Sequence, residues 1–190
     1  MHSSRRNWSP ILYASLILFL GALLVAPSGW ANPRGGNWFD EHAAASASGP
    51  SKIRISLSEQ RAYLYKGGKL VGVSKVSSGK KGYGTSPGHF RVLSKHPRHR
   101  SSIYGSYVDR RTGRVVKANV NTRKDRRPAG TYYRGAKMNN YIRFNGGIGM
   151  HASGHVPNYP ASHGCVRMPP QMAQKFFRHV RVGTPVRVTW

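Results

Sequence analysis

The sequence predicts a mainly β domain with one or two short helices, and three features of the chain support this fold class. Short segments alternate apolar and polar residues, which is the period of a half-buried strand, as at Ile53, Ile55 and Leu57. Turns that contain glycine or proline separate these segments at short intervals. Apolar residues recur at helical spacing in one clear place, between residues 170 and 180.

The elements follow in order along the chain. Gly67-Gly68 predicts a hairpin turn, and Pro87-Gly88 leads into another strand. Pro169 and Pro170 suit a helix start, because a missing N–H costs nothing there, and Gly183 ends that segment. The basic stretches 95–106 and 122–136 resemble surface loops. The predicted strands are 53–57, 62–64, 70–76, 90–93, 114–120, 141–144, 148–151 and 186–190, and Met172, Phe176 and Val180 are the predicted core face of the helix.

The N-terminal part of the chain is not expected to belong to the fold. Arg5 and Arg6 precede sixteen uncharged, mostly apolar residues, 11–26, and Gly29-Trp30-Ala31 is a small-x-small site, so residues 1–31 have the layout of a signal peptide. An uncleaved N-terminal anchor is the alternative. Residues 32–50 are rich in small residues without apolar periodicity, which predicts a flexible linker. The folded domain is therefore predicted to span 51–190.

The charge of the chain is strongly positive. It has 31 Lys and Arg residues against 5 Asp and Glu, a formal net charge of +26. Such a field attracts polyanions, and for an exported protein these are anionic cell-wall polymers and acidic headgroups rather than nucleic acid. The alternative interpretation, in which the charge only maintains solubility, stays open.

The chain contains one cysteine, Cys165, so no internal disulfide can form. An unpaired Cys in an exported protein indicates a reactive thiol, although a buried structural thiol is the alternative. The thiolate is the reactive form and needs a base or cation nearby. His151, fourteen residues upstream, follows a predicted strand and is the candidate base. A loop rich in Gly and Pro would return the chain and place Cys165 at the N-terminus of the helix, where free N–H groups favour an anion.

The sequence around this cysteine resembles a known family. Ser162-His163-Gly164-Cys165-Val166-Arg167 is similar to the signature of the L,D-transpeptidase (YkuD-like) catalytic domain, with His151 in the place of the upstream histidine. A second block, Thr85-Ser86-Pro87-Gly88-His89-Phe90-Arg91-Val92, resembles the start of another strand in that family. The departures are Ala152 in place of a common Gly, a short loop after it, and Pro169-Pro170 after the Arg.

The resemblance implies a YkuD-like fold, a β-sandwich-like mixed sheet, and a peptidoglycan transpeptidase. In such enzymes the Cys attacks the third residue of a tetrapeptide stem, releases D-Ala and passes the acyl group to an amine, giving a 3→3 cross-link. It implies that Cys165 is the nucleophile and His151 the proton acceptor and donor, oriented by the Ala152 carbonyl. His163 and Gly164 would shape the oxyanion pocket. Substrate-binding candidates are Arg167, Ser162 and His155. The alternative for Arg167 is to fix the loop, and the alternative for His155 is a position that faces solvent.

Other functions remain open at this point. The same acyl-enzyme supports lipoprotein attachment, D-amino-acid exchange or hydrolysis, and a non-catalytic, basic wall-binding module is a further alternative. A zinc site of His151, His155, His163 and Cys165 has suitable ligand types, but its spacing fits no standard pattern. We therefore expect no metal and no cofactor. We expect a monomer in the periplasm or cell envelope that acts on peptidoglycan stem peptides, with membrane contact only through an uncleaved N-terminus.

Overall fold

The computed structural model describes residues 36–190, so the predicted signal peptide, 1–31, lies outside the described residues. The described part is mainly β, as predicted, with three sheets and two short helices. In chain order the elements are β1 (Trp38–Phe39), α1 (Glu41–Ser46), β2 (Ser51–Ser56), β3 (Arg61–Lys66), β4 (Lys69–Lys75), β5 (Gly88–Arg91), β6 (Ser94–His96), β7 (Arg100–Asp109), β8 (Val115–Asn121), β9 (Thr131–Lys137), β10 (Tyr141–Asn145), β11 (Ile148–Ala152), β12 (Val166–Met168), α2 (Pro170–His179) and β13 (Pro185–Thr189).

The largest sheet has six strands in the order β1-β4-β3-β2-β13-β5. In this sheet the last strand of the chain, β13, pairs in parallel with β2, with Val186 opposite Ile53 and Val188 opposite Ile55. All four of these side chains are buried. Alternation of apolar and polar residues is what allows each strand to put one row of side chains into the core.

The second sheet has four strands in the order β12-β11-β10-β6. Its β10–β11 hairpin turns at Gly146-Gly147, and β12 adds in parallel to β11. One face joins the hydrophobic core through Ile142, Met150 and Val166. Helix α2 also lies on this core through Met172, Ala173 and Phe176, all buried. The helix and its apolar face are therefore confirmed.

The interpretation of residues 32–50 as a flexible linker is wrong for its C-terminal part. Strand β1 pairs with β4, and the Asp40 side chain caps α1 by accepting a hydrogen bond from the Ala43 N–H at 2.8 Å. Ala44 is completely buried. A run of Ala needs no large apolar residue to pack, because Ala is the best helix former and its methyl group fits against a neighbouring sheet. The absence of large periodic residues therefore concealed an ordered segment.

The basic stretches are also strands rather than loops for much of their length. β7 covers residues 100–109 and pairs with β8 on one side and β9 on the other, which forms the third sheet. β7 is mostly polar and only partly buried, so its pairing with neighbours, rather than its own hydrophobicity, makes it a strand.

Among the described residues, no helix is long and apolar enough to cross a membrane.

Candidate functional site

The site is built on the face of the four-stranded sheet that lies opposite the core. β11 and β12 run parallel, with Met150 opposite Val166 and His151 opposite Arg167. Since Met150 and Val166 belong to the core, their neighbours His151 and Arg167 point to the other face. Cys165 immediately precedes β12, and its sulfur contacts the Gly147 carbonyl and the Gly149 N–H of the β10–β11 hairpin. The pairing of β12 with β11 thus places Cys165 beside the strand that carries His151.

His151 is held in one tautomer. Its Nδ1 lies 2.9 Å from the carbonyl oxygen of Ala152, as the resemblance implied. A carbonyl oxygen only accepts, so Nδ1 carries the hydrogen and Nε2 carries the lone pair. The side chain is 8% exposed, and burial lowers the pKa of His151 from 6.5 to about 4. The imidazole is therefore neutral at pH 7, with Nε2 free to accept a proton.

Cys165 is a partly exposed residue that immediately precedes β12. Its sulfur lies 3.8 Å from the carbonyl oxygen of Gly147, to which the thiol donates. Burial raises the pKa of Cys165, while a hydrogen bond from the Gly149 N–H and the charge of Arg167 lower it. The resting pair is thus a neutral thiol and a neutral imidazole. Such a thiol needs a base at the moment of reaction.

The expectation that Cys165 lies at a helix N-terminus is wrong. Strand β12 intervenes, and α2 begins only at Pro170. The N–H groups at the start of α2 are therefore not those closest to the sulfur. The pairing of Val166–Met168 with β11 determines where Cys165 lies, because a strand added to a sheet fixes the residue that precedes it.

Tyr141 contacts the same site, and sequence reasoning missed it. Its hydroxyl donates to the Gly147 carbonyl at 2.8 Å, the group that also accepts from the Cys165 thiol. The ring stacks on His99 with centroids 4.4 Å apart. A Cβ on Gly149 would come within 2.5 Å of the Tyr141 ring, so glycine is required there. The Gly146-Gly147 turn is the sequence signal for this hairpin, which pairs Arg143 with Gly149 and so brings the Tyr141 ring onto Gly149.

The loop before Cys165 is fixed by its own hydrogen bonds. The Ser162 hydroxyl donates to the carbonyl of Cys165 and accepts from the N–H of Gly164. Thr85 donates to the Gly164 carbonyl at 2.7 Å, which joins the second sequence block to the signature. Gly164 has φ of 111°, a conformation that favours glycine. Ser162 is 2% exposed, so its prediction as a substrate-binding side chain is wrong; its hydroxyl supports the loop instead.

The remaining predicted residues occupy different surroundings. His163 has its ring stacked on Tyr104 at 4.5 Å and meets the edge of Tyr83 at 4.7 Å. Its side chain therefore links the loop to β7 of the third sheet. Arg167 is half-buried, and its backbone N–H and carbonyl both pair with Ser77. His155 is exposed on the loop that follows β11.

The four histidine and cysteine residues considered for zinc do not assemble into a metal site. Within residues 36–190, no group of three or more His, Cys, Asp or Glu side chains is placed to hold a metal ion. His151 lies on β11 and Cys165 immediately before β12, whereas His155 is exposed on the loop between these strands. The geometry is that of a thiol, an oriented imidazole and a carbonyl.

Comparison with known proteins gives a family assignment. The family model for YkuD, the L,D-transpeptidase catalytic domain, matches residues 50–188. That range includes both blocks of the resemblance and the whole of the sheet that carries Cys165. No curated protein gives a significant match to the chain.

Solved structures agree with this fold. The LD transpeptidase LdtMt1 in complex with imipenem is 22% identical over 73% of this chain and 58% of that chain, with a TM-score of 0.55. An L,D-transpeptidase from Mycobacterium smegmatis is 21% identical over 74% and 58%, with a TM-score of 0.54. The Ldtfm-avibactam carbamoyl enzyme is 25% identical over 74% and 49%, with a TM-score of 0.53. This chain therefore spans less than two thirds of the length of these three structures.

Proposed function

Because the chain belongs to the YkuD family of L,D-transpeptidase catalytic domains, we propose that it is a peptidoglycan L,D-transpeptidase that uses Cys165 as its nucleophile. One observation carries the proposal: the Cys165 sulfur contacts the Gly147 carbonyl and the N–H of Gly149, which precedes the oriented His151 on the same strand, β11. Cys165 is partly exposed rather than fully buried, which supports a role in chemistry. A structural thiol would need neither that exposure nor an imidazole of fixed tautomer.

The first half-reaction forms a thioester. Nε2 of His151 accepts the thiol proton as Sγ of Cys165 attacks the carbonyl carbon of the third stem residue. The tetrahedral intermediate then collapses, and the C–N bond to D-Ala breaks. The departing amine takes the proton from the His151 imidazolium, so the imidazole is neutral again. The Ala152 carbonyl holds Nδ1–H throughout and stabilises the transient positive charge.

The second half-reaction transfers the acyl group. A side-chain amine of another stem attacks the thioester carbon, and His151 takes the proton that the amine loses. The thiolate leaves and is protonated, which restores the resting pair. The rigid loop around Gly164 supports this cycle, because its hydrogen bonds to Ser162 and Thr85 hold the backbone next to the sulfur in one conformation. We assign His163 and Gly164 to the walls of the oxyanion pocket.

The cellular setting is part of the same proposal. We propose that the protein acts in the periplasm or cell envelope as a monomer, on peptidoglycan stem peptides, and that no nucleic acid is a partner. The signal-peptide layout of residues 1–31 and the net charge of +26 support this setting. They agree with a substrate that is a polymer outside the cytoplasm and carries negative charge.

The central test is incubation of the purified protein with muropeptides that carry tetrapeptide stems, followed by separation of the products. We expect release of D-Ala and dimers linked 3→3, and we expect Cys165→Ala and His151→Ala each to abolish both. Lys69→Gln, a change of an exposed residue on β4, is the matched control. Near-native turnover by either site variant would refute the mechanism.

The products also distinguish the acceptors. Shortened tripeptides without dimers would assign hydrolysis, exchanged C-terminal residues would assign D-amino-acid exchange, and a peptide joined to an added lipoprotein Lys would assign lipoprotein attachment. Each of these outcomes would change the acceptor of the acyl group from a stem amine to another molecule, while the acyl-enzyme on Cys165 stays part of the mechanism. Polymer binding without D-Ala release, unchanged in Cys165→Ala, would instead assign a non-catalytic wall-binding module.

A second prediction concerns β-lactams. A strained lactam carbonyl is an acylating agent that needs no D-Ala leaving group, so we expect a carbapenem to form one covalent adduct on Cys165. The structures similar to this chain include one in complex with imipenem and one carbamoyl enzyme formed with avibactam, which supports the expectation. Intact mass spectrometry measures the adduct. An unmodified mass after prolonged incubation, or an adduct that persists in Cys165→Ala, would contradict it.

A further inference from the structure

A cationic cleft lies between the third sheet and the loop that carries Cys165. Its volume is about 1140 Å³, and His163 is among the residues that line it. Six of the lining residues are cationic and one is acidic. The cationic residues are Lys80, Arg100, Lys124, Arg134, Lys137 and Arg167.

The single acid of the cleft does not neutralise these cations. The Asp125 carboxylate lies 2.7 Å from Nζ of Lys117, which is not one of the six, and it also accepts from the N–H of Asn121 at 2.7 Å. Both interactions lower the pKa of Asp125, and the charge of Lys124, one of the six, has a smaller effect in the same direction. Its charge is therefore already balanced, and the excess of positive charge in the cleft is left for a ligand.

The cleft adjoins the candidate site, because His163 and Arg167, on either side of Cys165 in the chain, line it. Arg134 on β9 is opposite Ser106 on β7, in the same row of side chains as Tyr104. The Tyr104 ring stacks on His163, two residues before Cys165. Lys80 lines the opposite wall and approaches the Tyr83 ring at 5.5 Å. A peptide that lies in the cleft would therefore have cations on both sides and would lie next to the loop that carries Cys165.

We propose that this cleft selects stem peptides whose side-chain acids are ionised carboxylates over the same stems in which those acids are carboxamides. The inference rests on the proposed function and adds a substrate preference to it. A carboxylate accepts charge-assisted hydrogen bonds from Arg and Lys, which are about twice as strong as neutral ones, whereas a carboxamide carries no charge and brings donors of its own. The cleft offers six cations and no free acid, so an amide gains little there.

The test compares kcat/KM for D-Ala release from two synthetic tetrapeptide stems, one with free side-chain carboxylates and one with carboxamides at those positions. We expect the native protein to prefer the carboxylate stem by about tenfold, on the order of two partly exposed ion pairs. The variant Arg134→Gln/Lys80→Gln removes one cation from each wall and should reduce the preference to about twofold or less. Added salt should reduce it as well.

The matched control is Lys69→Gln/Lys75→Gln, which removes the same charge from exposed positions on β4, outside the cleft. It should retain the preference, and thermal unfolding of all variants monitors folding. Equal kcat/KM for the two stems, or a preference that survives in Arg134→Gln/Lys80→Gln, would overturn the inference and leave the proposed function intact. Failure to release D-Ala from either stem would instead overturn the proposed function.

Discussion

At the scale of single residues, the proposed chemistry depends on how a few groups share one carbonyl. Gly147 offers its oxygen to both the Tyr141 hydroxyl and the Cys165 thiol. When the thiol ionises, this oxygen faces a thiolate and repels it. The Tyr141 hydroxyl draws electron density from the oxygen and so reduces the repulsion. Tyr141 is in this sense a positioning residue that acts on the sulfur through a backbone group.

This arrangement makes Tyr141→Phe a specific prediction. Loss of the hydroxyl should raise the pKa of Cys165 further and slow its alkylation by iodoacetamide at pH 8 by about threefold to tenfold, which corresponds to one hydrogen bond. The measurement is the rate of alkylation as a function of pH. Tyr63→Phe, which removes a hydroxyl bonded to Glu59 on a different sheet, serves as the control. A pH profile identical to that of the native protein would show that Tyr141 only fills space.

At the scale of elements, the part of the fold before residue 50 contributes to stability. The Asp40 carboxylate caps α1, and Glu41 forms an ion pair with Lys175 of α2 at 3.0 Å. We expect Asp40→Ala to lower the free energy of unfolding by about 1 kcal/mol, the usual cost of a lost N-cap. Asp40→Asn keeps a capping oxygen and should cost much less. Urea unfolding measures both, and equal values for the two variants would contradict the role of the cap.

The same scale shows what the sequence could predict and why the rest was missed. Helix α2 and strand β13 were predictable because their apolar residues carry the whole signal: Met172 and Phe176 at helical spacing, Val186 and Val188 at strand spacing. The third sheet was not predictable in this way. β7 is polar and partly exposed, and pairing with its two neighbours holds it in place. Such stabilisation is a property of the assembled sheet and leaves no period in the sequence.

The residues of the candidate site also fall into two groups, those that the sequence predicted and those that it did not. The pairing of Cys165 with His151 followed from residue types and the resemblance, and the contact of His151 with the Ala152 carbonyl agrees with it. Tyr141 was missed because its sequence context is that of any aromatic residue in a strand, and only the folded hairpin brings its hydroxyl to the Gly147 carbonyl. The assignment of Ser162 failed for a related reason. A polar residue in a signature has the same appearance whether its hydroxyl faces a substrate or the backbone of its own loop.

At the scale of the whole molecule, the charge composition determines how acid affects stability. Most proteins lose stability in acid because paired carboxylates become protonated. This chain has only 5 acidic residues. The pKa values of Glu41, Asp109 and Asp125 lie below their ordinary values near 4, and all three carboxylates are surface groups. Their effect is therefore confined to strongly acidic pH. Between pH 4 and 6.5 the histidines determine the response.

His151 should dominate that response. Its pKa is 6.5 when exposed and about 4 when folded, so between these values the unfolded chain binds more protons than the folded one. The free energy of unfolding is then fully present above pH 6.5 and declines as the pH falls towards 4, by about 3 kcal/mol for a shift of this size. Urea unfolding at pH 7 and pH 4.5 measures the loss.

His99, His163 and His179 also have lowered pKa values and add to this loss of stability in any variant. The share of His151 is therefore the difference between the native protein and His151→Gln, whose amide still donates to the Ala152 carbonyl but does not titrate. Parallel losses in the two proteins would mean that the imidazole is hydrated and free to charge, and the neutral resting pair of His151 and Cys165 would then have to be abandoned.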